Sequence, residues 1–292
     1  MAGNKVGFAK NAGSALTDRY LSPNLWDRFP FDDIRENPSL GIFDFDDFHD
    51  LPLAPTLTTQ IAFGKYKAFA NTGCTIDRVS AVNSVEIQGG ALKISLDTDN
   101  DSASLADAYA SYLMDGASAT SGTLIFECCA AQKSVVTNMA SSFVGLFETD
   151  AWTLANTVPL NAGDPITNAA SGIGFRIAED GLGVVDTVVT DRATSFTNIG
   201  AGEGGTLVAY TFKKLGFRYD FGRPGTDRVT FYVDNLPAAT KYTSTNIAAT
   251  TNLKANSLGR IVATCADSAG TAHDLYMKWW AVGQLQPGIS GG

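Results

Sequence analysis

The sequence predicts an all-β sandwich, and three observations carry that prediction. The stretch Lys213–Asn235, KKLGFRYDFGRPGTDRVTFYVDN, reads as two strands joined by a short polar turn. Within it Val229, Phe231 and Val233 fall on one face and Arg228, Thr230 and Tyr232 on the other, the period-2 pattern of a half-buried antiparallel strand. A dozen or so further segments of strand length follow one another, punctuated by turn residues. No stretch shows a strong helical period; Ser102–Tyr109 and Thr245–Leu253 are the best short helix candidates.

Residues 1–40 differ from the rest. They hold Pro23, Pro30 and Pro38, mixed charges and no period. Leu25, Trp26, Phe29 and Phe31 stand close together among polar residues, which a free tail would not usually carry. The segment is expected to be an extended arm whose four apolar side chains form an interaction surface. They would dock on the chain's own domain or on a neighbouring subunit, and contacts beyond the chain's own sandwich are the expectation.

Strands are expected from residue 41 onward. GIFDFDDF (41–48) alternates Phe43 and Phe45 against Asp44 and Asp46, so the aspartates are expected to face outward. LPLAP (51–55) is a turn-rich connector, and Gly64–Ala70 and Thr75–Val82 read as short strands. Gly90–Thr98 alternates Leu92, Ile94 and Leu96 against Lys93, Ser95 and Asp97. Gly122–Ala131, GTLIFECCAA, is apolar on both faces and should be a central strand. Ser142–Thr149 follows, then a long loop over 151–170. Ile173–Glu179, Val184–Thr190, Leu207–Tyr219, Asp227–Asn235, Leu258–Cys265 and Leu275–Leu285 supply the remaining strands, with Ala238–Tyr242 as a short return after Asp234-Asn235. The expected organisation is an arm over 1–40, a sandwich over 41–287 and a flexible tail over 288–292.

Composition narrows the function. Of 292 residues, 45% are hydrophobic, enough for a sizeable core, and 17% are charged, below the usual figure of about 25%. A weakly charged surface suits partial cover by neighbouring subunits. The net charge of −9, with no basic stripe, argues against nucleic acid as a partner. No run of 18 apolar residues exists, so no membrane span is expected, and the N-terminus lacks the apolar region of a secretory signal. Cys74, Cys128, Cys129 and Cys265 form no C-x-x-C pair, and only two histidines accompany them, which disfavours zinc. Buried free thiols are expected, with Cys128 and Cys129 on opposite faces of one strand.

The order of FDDF (45–48), GALKISL (90–96), GTLIFE (122–127), FVGLFE (143–148), GIGFRI (172–177), KKLGFRYD (213–220), DRVTFYVDN (227–235) and LYMKWWAVGQL (275–285) resembles the concanavalin A-like lectin/glucanase jelly roll. The resemblance spans about residues 41–287 and implies a jelly-roll β-sandwich. The whole chain is also similar to structural proteins of tailed-bacteriophage virions. That likeness implies a capsid decoration or cement-like subunit in the virion, assembled in a host cytoplasm as a homo-oligomer in contact with the major capsid protein or another virion protein.

Glycoside hydrolases of this fold carry E-x-D-x-E or E-x-D-x-x-E on one strand, which puts nucleophile and acid/base in one cleft. Here Glu148-Thr149-Asp150 is followed by Ala151, Trp152 and Thr153, so the second glutamate is missing and the chain is expected not to be an enzyme. Asp97, Asp99 and Asp101 have oxygen-ligand spacing, but Ser102 and Ala108 stand where an EF-hand needs Gly and Glu. A solvated turn is the expectation there and a looser calcium site its alternative; no cofactor is required. Asp44, Asp46, Asp47 and Asp50 form a second acidic cluster. His49 and His273 lie far apart with no nucleophile elbow, and GAGEGG (200–205) lacks the lysine of a phosphate loop, reading as a flexible loop tip. On a strand Trp279 and Trp280 point oppositely, so one can fill the core while the other is a sugar-stacking platform, a subunit contact or covered by the arm, with cover or contact the expectation. The expectation is therefore a non-enzymatic virion structural protein; the alternative is a carbohydrate-binding module of a phage fibre or tail that binds glycan.

Overall fold

The computed structural model describes residues 20–51, 61–70, 74–82, 85–97, 102–109, 111–114, 122–133, 140–148, 172–177, 183–190, 196–200, 202–220, 229–242, 256–265 and 273–286. A short helix, α1 (Phe31–Glu36), and a 3-10 turn at Pro38–Leu40 precede the strands. The first strands are β1 (Gly41–Asp46), β2 (Ile61–Phe63), β3 (Tyr66–Ala70), β4 (Thr75–Val82), β5 (Val85–Leu96) and β6 (Ser102–Asp107). Then come β7 (Tyr112–Met114), β8 (Thr123–Gln132), β9 (Ser141–Phe147), β10 (Gly172–Ile177), β11 (Val185–Thr190) and β12 (Phe196–Gly200). The last are β13 (Lys213–Asp220), β14 (Val229–Val233), β15 (Leu236–Tyr242), β16 (Asn256–Cys265) and β17 (His273–Leu285).

Two antiparallel sheets form. The first runs β15-β14-β13-β8-β17-β5-β4, with β1 added against the C-terminal half of β17. The second runs β12-β11-β10-β9-β16-β6-β3-β2, with β7 against the start of β16. Each sheet joins consecutive strands, such as β13-β14 and β9-β10, to strands remote in sequence, such as β8-β17 and β9-β16, as in a jelly roll. Every residue of β8 is buried, and the strand lies between β13 and β17, as its two apolar faces predict.

The core between the sheets is built by alternation. Leu124, Phe126 and Cys128 face inward from β8, and Leu215, Phe217 and Tyr219 from β13. Val229 and Phe231 join them fully buried, while Val233, at the end of β14, packs at the rim. Asp234 (φ 47°) and Asn235 (φ 70°) both take positive φ, the backbone of a two-residue hairpin turn that Asp and Asn tolerate. Cys128 faces the core and Cys129 the opposite side, and Cys74, Cys128 and Cys129 are buried.

Four local expectations are corrected. Ser102–Asp107 is a strand, not a helix, because its alternation serves the sheet: Ala103 and Leu105 face the core and Ser104 and Ala106 point away. Leu207–Phe212 does not extend β13; Leu207 packs in the core, while Tyr210 and Phe212 lie on the outer side of the first sheet, where Tyr210 packs on Tyr276. Gly202–Gly205 is a packed turn rather than a loose tip. The N–H of Gly202 donates to Asp186 Oδ1 at 2.8 Å, and a Cβ on Gly204 would lie 2.4 Å from Val185 Cγ1. Asp44 and Asp46 face inward, toward the second sheet, while Phe43 packs under the arm and Phe45 lies against Trp279 on the outer side. The aspartates turn in because Arg260 and Lys65 wait there. The helix candidate at 245–253 and the long loop at 151–170 lie outside the described residues.

Candidate functional site

The outer face of the first sheet is closed by the chain's own N-terminal segment. Leu25, Trp26, Phe29 and Ile34 are buried against Ile125, Cys129, Trp279, Ala281 and Leu285. Phe31 and Phe43 complete an aromatic stack in which Trp26 meets Phe29, Phe31 and Phe43 at centroid distances of 5.2, 5.6 and 5.5 Å. The sheet is cut to receive these rings. A Cβ on Gly216 would lie 2.4 Å from Leu25 Cδ2, and one on Gly283 would lie 2.5 Å from Phe29 Cζ and 2.7 Å from Trp26 Cζ3.

Polar contacts fix the register of the arm. Glu127, 1% exposed, is the single charge of the β8 apolar run. Its carboxyl accepts the Ser22 N–H at 3.0 and 3.2 Å and the Trp26 Nε1–H at 2.7 Å. Burial pushes the Glu127 carboxyl above the usual carboxylate range, against the donors from Ser22 and Trp26 and the nearby Lys214 ammonium. Asn24 donates from its backbone N–H to Asn235 Oδ1 at 2.7 Å and from Nδ2 to the Asn235 carbonyl at 2.9 Å, and Arg218 Nη1 donates to the Asp27 carbonyl at 2.9 Å. Lys214 Nζ donates to the Tyr20 carbonyl.

The expected interaction residues are thus brought together, but their partner is corrected. Leu25, Trp26 and Phe29 are spent on the chain's own sheet rather than on contacts beyond it. The arm is also not extended throughout, since residues 31–40 turn through α1 and the 3-10 segment. Trp279 is the tryptophan under the arm and Trp280 the one in the core, opposed by ordinary strand alternation after a bulge between Met277 and Trp279.

A second constellation joins the sheets at one rim. Arg260, itself 1% exposed, donates from Nε to Asp107 Oδ2 at 3.0 Å and from Nη2 to Asp107 Oδ1 at 2.9 Å, and its Nη2 lies 2.6 Å from Asp44 Oδ2. Its guanidinium lies 5.0 Å from the Trp280 ring centroid. Lys65 Nζ closes the chain of charges on Asp46 at 2.8 Å. Burial raises the Asp107 carboxyl even beside Arg260, which fits a structural clamp between β1, β6 and β16.

A third cluster lies on the part of the first sheet beyond the arm. Asp274 accepts from Ser95 Oγ at 2.7 Å and from the Tyr276 hydroxyl at 3.0 Å, with Lys93 and Lys133 at 3.4 and 3.6 Å. Burial opposes its ionisation, yet Ser95, Lys93, Tyr276 and Lys133 hold its carboxyl below the usual range.

The other sequence candidates are not assembled. Glu148 is buried at the end of β9, and Asp150 and Trp152 lie outside the described residues. Asp97 is exposed after β5, whereas Asp99 and Asp101 lie outside the described residues. Among the described residues no three His, Cys, Asp or Glu side chains are placed to hold a metal. Asp46 and Asp47 instead accept the N–H groups of Phe48 and His49 in local turns, at 2.7 and 3.1 Å.

No protein-family model and no curated protein matches the chain. Solved structures do. A protein of unknown function from Shewanella oneidensis MR-1 superposes with a TM-score of 0.51 at 14% identity, over 88% of this chain and 94% of that one. The endo-beta-1,4-glucuronan lyase of Trichoderma reesei gives 0.47 at 12% identity, over 74% and 90%. The carbohydrate recognition domain of Emp47p gives 0.46 at 11%, over 81% and 95%.

The expectation that the chain is not an enzyme is corrected by these relatives. Besides the lyase, an endo-1,3-beta-glucanase from Thermotoga petrophila RKU-1 and the Crh5 transglycosylase are among the similar structures. The expectation rested on a glutamate missing after Glu148, a test that addresses one hydrolase chemistry alone. The two antiparallel sheets make the fold the concanavalin A-like jelly-roll β-sandwich expected from the sequence.

Proposed function

We propose that the chain is a structural subunit of a tailed-phage virion, a decoration or cement-like protein that assembles as a homo-oligomer and bridges neighbouring capsomers of the major capsid protein. The observation that carries this reading is the filling of the first sheet's outer face by the chain's own arm. A face packed with Leu25, Trp26 and Phe29 is filled over the arm's footprint and makes a stiff block there. The second sheet supports the same reading, since its outward Phe143, Phe147 and Ile261 are also buried.

Contacts with neighbours then fall to the rims. Among the described residues β1 pairs on one edge only, with β17. Ile42 and Phe45 on β1 and Leu113 on β7 are exposed there, and both Ile42 and Leu113 neighbour Gln284. The low charge and the sequence likeness to virion proteins agree with such contacts. Co-sedimentation of the purified protein with particles lacking it tests the proposal. Saturable binding that increases resistance of the shell to heat supports it, and absence of binding refutes it.

A glycan-binding or glycan-active reading draws on a different observation, the Asp274 cluster. There a carboxylate, a phenol and two ammonium groups from β5, β17 and the residue after β8 converge outside the arm's footprint. Binding or cleavage of a polysaccharide, lost in Asp274→Asn, would favour it over the structural reading.

A further inference from the structure

The arm crosses the first sheet in one direction. Lys214 Nζ, on β13, donates to the Tyr20 carbonyl, and the Asn24 N–H donates to Asn235 at the β14–β15 turn. Leu25 lies over Gly216 of β13, Trp26 and Phe29 lie over Gly283 of β17, and Phe31 stacks on Phe43 of β1. The chain therefore enters on the β13–β14 side and arrives at β1 on the other, about four strand spacings or roughly 19 Å away. Residues 1–19 precede that entry point. They carry Lys5, Lys10 and Arg19 against Asp18 alone. Val6 and Phe8, two apart, share one side whenever the backbone is extended.

The far side of β1 is a strand edge of the opposite charge. The Leu40 carbonyl accepts the Gln286 N–H, which sets every second pair along β1 as the hydrogen-bonded one. Ile42, Asp44 and Asp46 thus turn their main-chain groups to β17. Gly41, Phe43 and Phe45 turn theirs outward, where no described strand pairs with them. Ile42, Phe45 and Leu113 are exposed at this rim. Residues 31–50 hold seven acidic side chains and one basic, Arg35. Arg260 and Lys65 engage Asp44 and Asp46, and Arg35 engages Asp32. Among the described residues that leaves Asp33, Glu36 and Asp47 without a cation and Asp50 with His49 alone.

We propose that residues 1–19 of one copy add as a strand to the β1 edge of the next copy, joining subunits head to tail. Main-chain hydrogen bonds to Gly41, Phe43 and Phe45 hold the segment, Val6 and Phe8 cover the apolar side chains of the rim, and Lys5 and Lys10 meet the free carboxylates. The neighbour's edge is the one used because the arm occupies the way back to the chain's own edge along the outer face. Extended, the segment spans up to about 60 Å, ample for a neighbour whose β1 rim abuts the β13–β14 side. Donating at one rim and accepting at the other is a heterologous contact, the kind that builds cyclic oligomers. It also covers a strand edge that would otherwise invite unspecific pairing. This strand addition rests on the homo-oligomer reading above and requires no capsid.

The test uses the purified full chain without particles, so its failure is distinct from failure of the capsid reading, which co-sedimentation decides. Nitrogen-15-labelled and unlabelled protein are mixed while unfolded in urea, refolded together and joined with a zero-length carbodiimide cross-linker. Mass spectrometry of the digest should find Lys5 or Lys10 coupled to Asp33, Glu36, Asp47 or Asp50, in mixed-isotope as well as same-isotope pairs. Sedimentation of the same protein should show an oligomer. Asp33→Lys with Glu36→Lys, both exposed, should raise the subunit dissociation constant roughly 5- to 30-fold, and adding Lys5→Glu with Lys10→Glu should restore it. Val6→Asp with Phe8→Asp should give monomers. A monomeric full chain overturns the proposal, as do same-isotope pairs alone, the mark of a segment bound to its own edge. Cross-links that bypass residues 31–50, or an oligomer unchanged in Val6→Asp with Phe8→Asp, overturn it equally.

Discussion

Gly283→Ala separates the arm from the sandwich energetically. The added methyl would lie 2.5 and 2.7 Å from Phe29 Cζ and Cε2 and 2.7 Å from Trp26 Cζ3. Carbon atoms in good contact stand about 3.5–4.0 Å apart, so the overlap is about 1 Å on two rings at once. Inserting a methyl into a packed seam costs roughly 1–3 kcal/mol. Both rings belong to the arm, so the strain is relieved by the arm moving out rather than by β17 moving. At about 1.4 kcal/mol per factor of ten, arm protection against hydrogen exchange should fall roughly 5- to 150-fold. The urea midpoint of the sandwich should change little, because the β8, β13 and β17 core lies on the other side of the sheet. Gly145→Ala is the contrast. Its methyl would meet the Ile173 carbonyl oxygen at 2.3 Å and Gly174 Cα at 2.7 Å, which are backbone atoms of the neighbouring strand. Only separation of β9 from β10 relieves that, so the sandwich itself should lose stability. Arm protection in Gly283→Ala equal to wild type, or equal urea midpoints for the two variants, would refute this reasoning.

Three further outcomes are expected. Phe231→Ala should cost about 3–5 kcal/mol in urea unfolding, against less than about 0.5 kcal/mol for its half-exposed neighbour Thr230→Ala. Burial lowers His273 to about 4 from an ordinary 6.5, ahead of the opposing effect of Asp274. Its contribution is complete above pH 6.5 and lost as the pH falls toward 4, about 3 kcal/mol in all, and His273→Gln should flatten that part of the stability–pH curve. Arg260→Met should destabilise by about 3–5 kcal/mol because it strands the buried Asp107 carboxyl, and a second change, Asp107→Leu, should restore part of the loss.

Much of the sandwich was legible in the sequence because alternation is a local signal. Val229–Val233 and Gly90–Leu96 each announce which residues face the core, and the two-faced apolar run of β8 announces a central strand. Alternation does not say which side of a strand is covered, and there β1 misled. With Phe43 and Phe45 opposite Asp44 and Asp46, the aromatics look inward-facing. The arm covers their outer side, and Arg260 and Lys65 neutralise the aspartates on the inner side; neither partner is near in sequence. Ser102–Asp107 reads as a helix for a similar reason, since SASLAD has small residues and no β-branched ones, and its pairing with β3 and β16 overrides propensity.

The arm was legible as an apolar segment seeking a partner, but the partner was not. Its receiving slots are two glycines, Gly216 and Gly283, and glycines in strands carry no label saying what fills the gap. Glu127 went unnoticed although the signal existed. A lone glutamate in TLIFECCAA, like the lone arginines in GIGFRI and LGRIVAT, is a charge in a run with no solvent face, and such a charge implies a buried partner.

Electron microscopy of the purified virion tests the central claim most directly. The account predicts sandwich-shaped density on the outside of the capsid shell at junctions between capsomers. The arm should lie folded back on its own first sheet, with the β1 rim toward a neighbouring subunit. Particles with no such density on the shell, or with the protein confined to a fibre tip engaging a glycan, would contradict it.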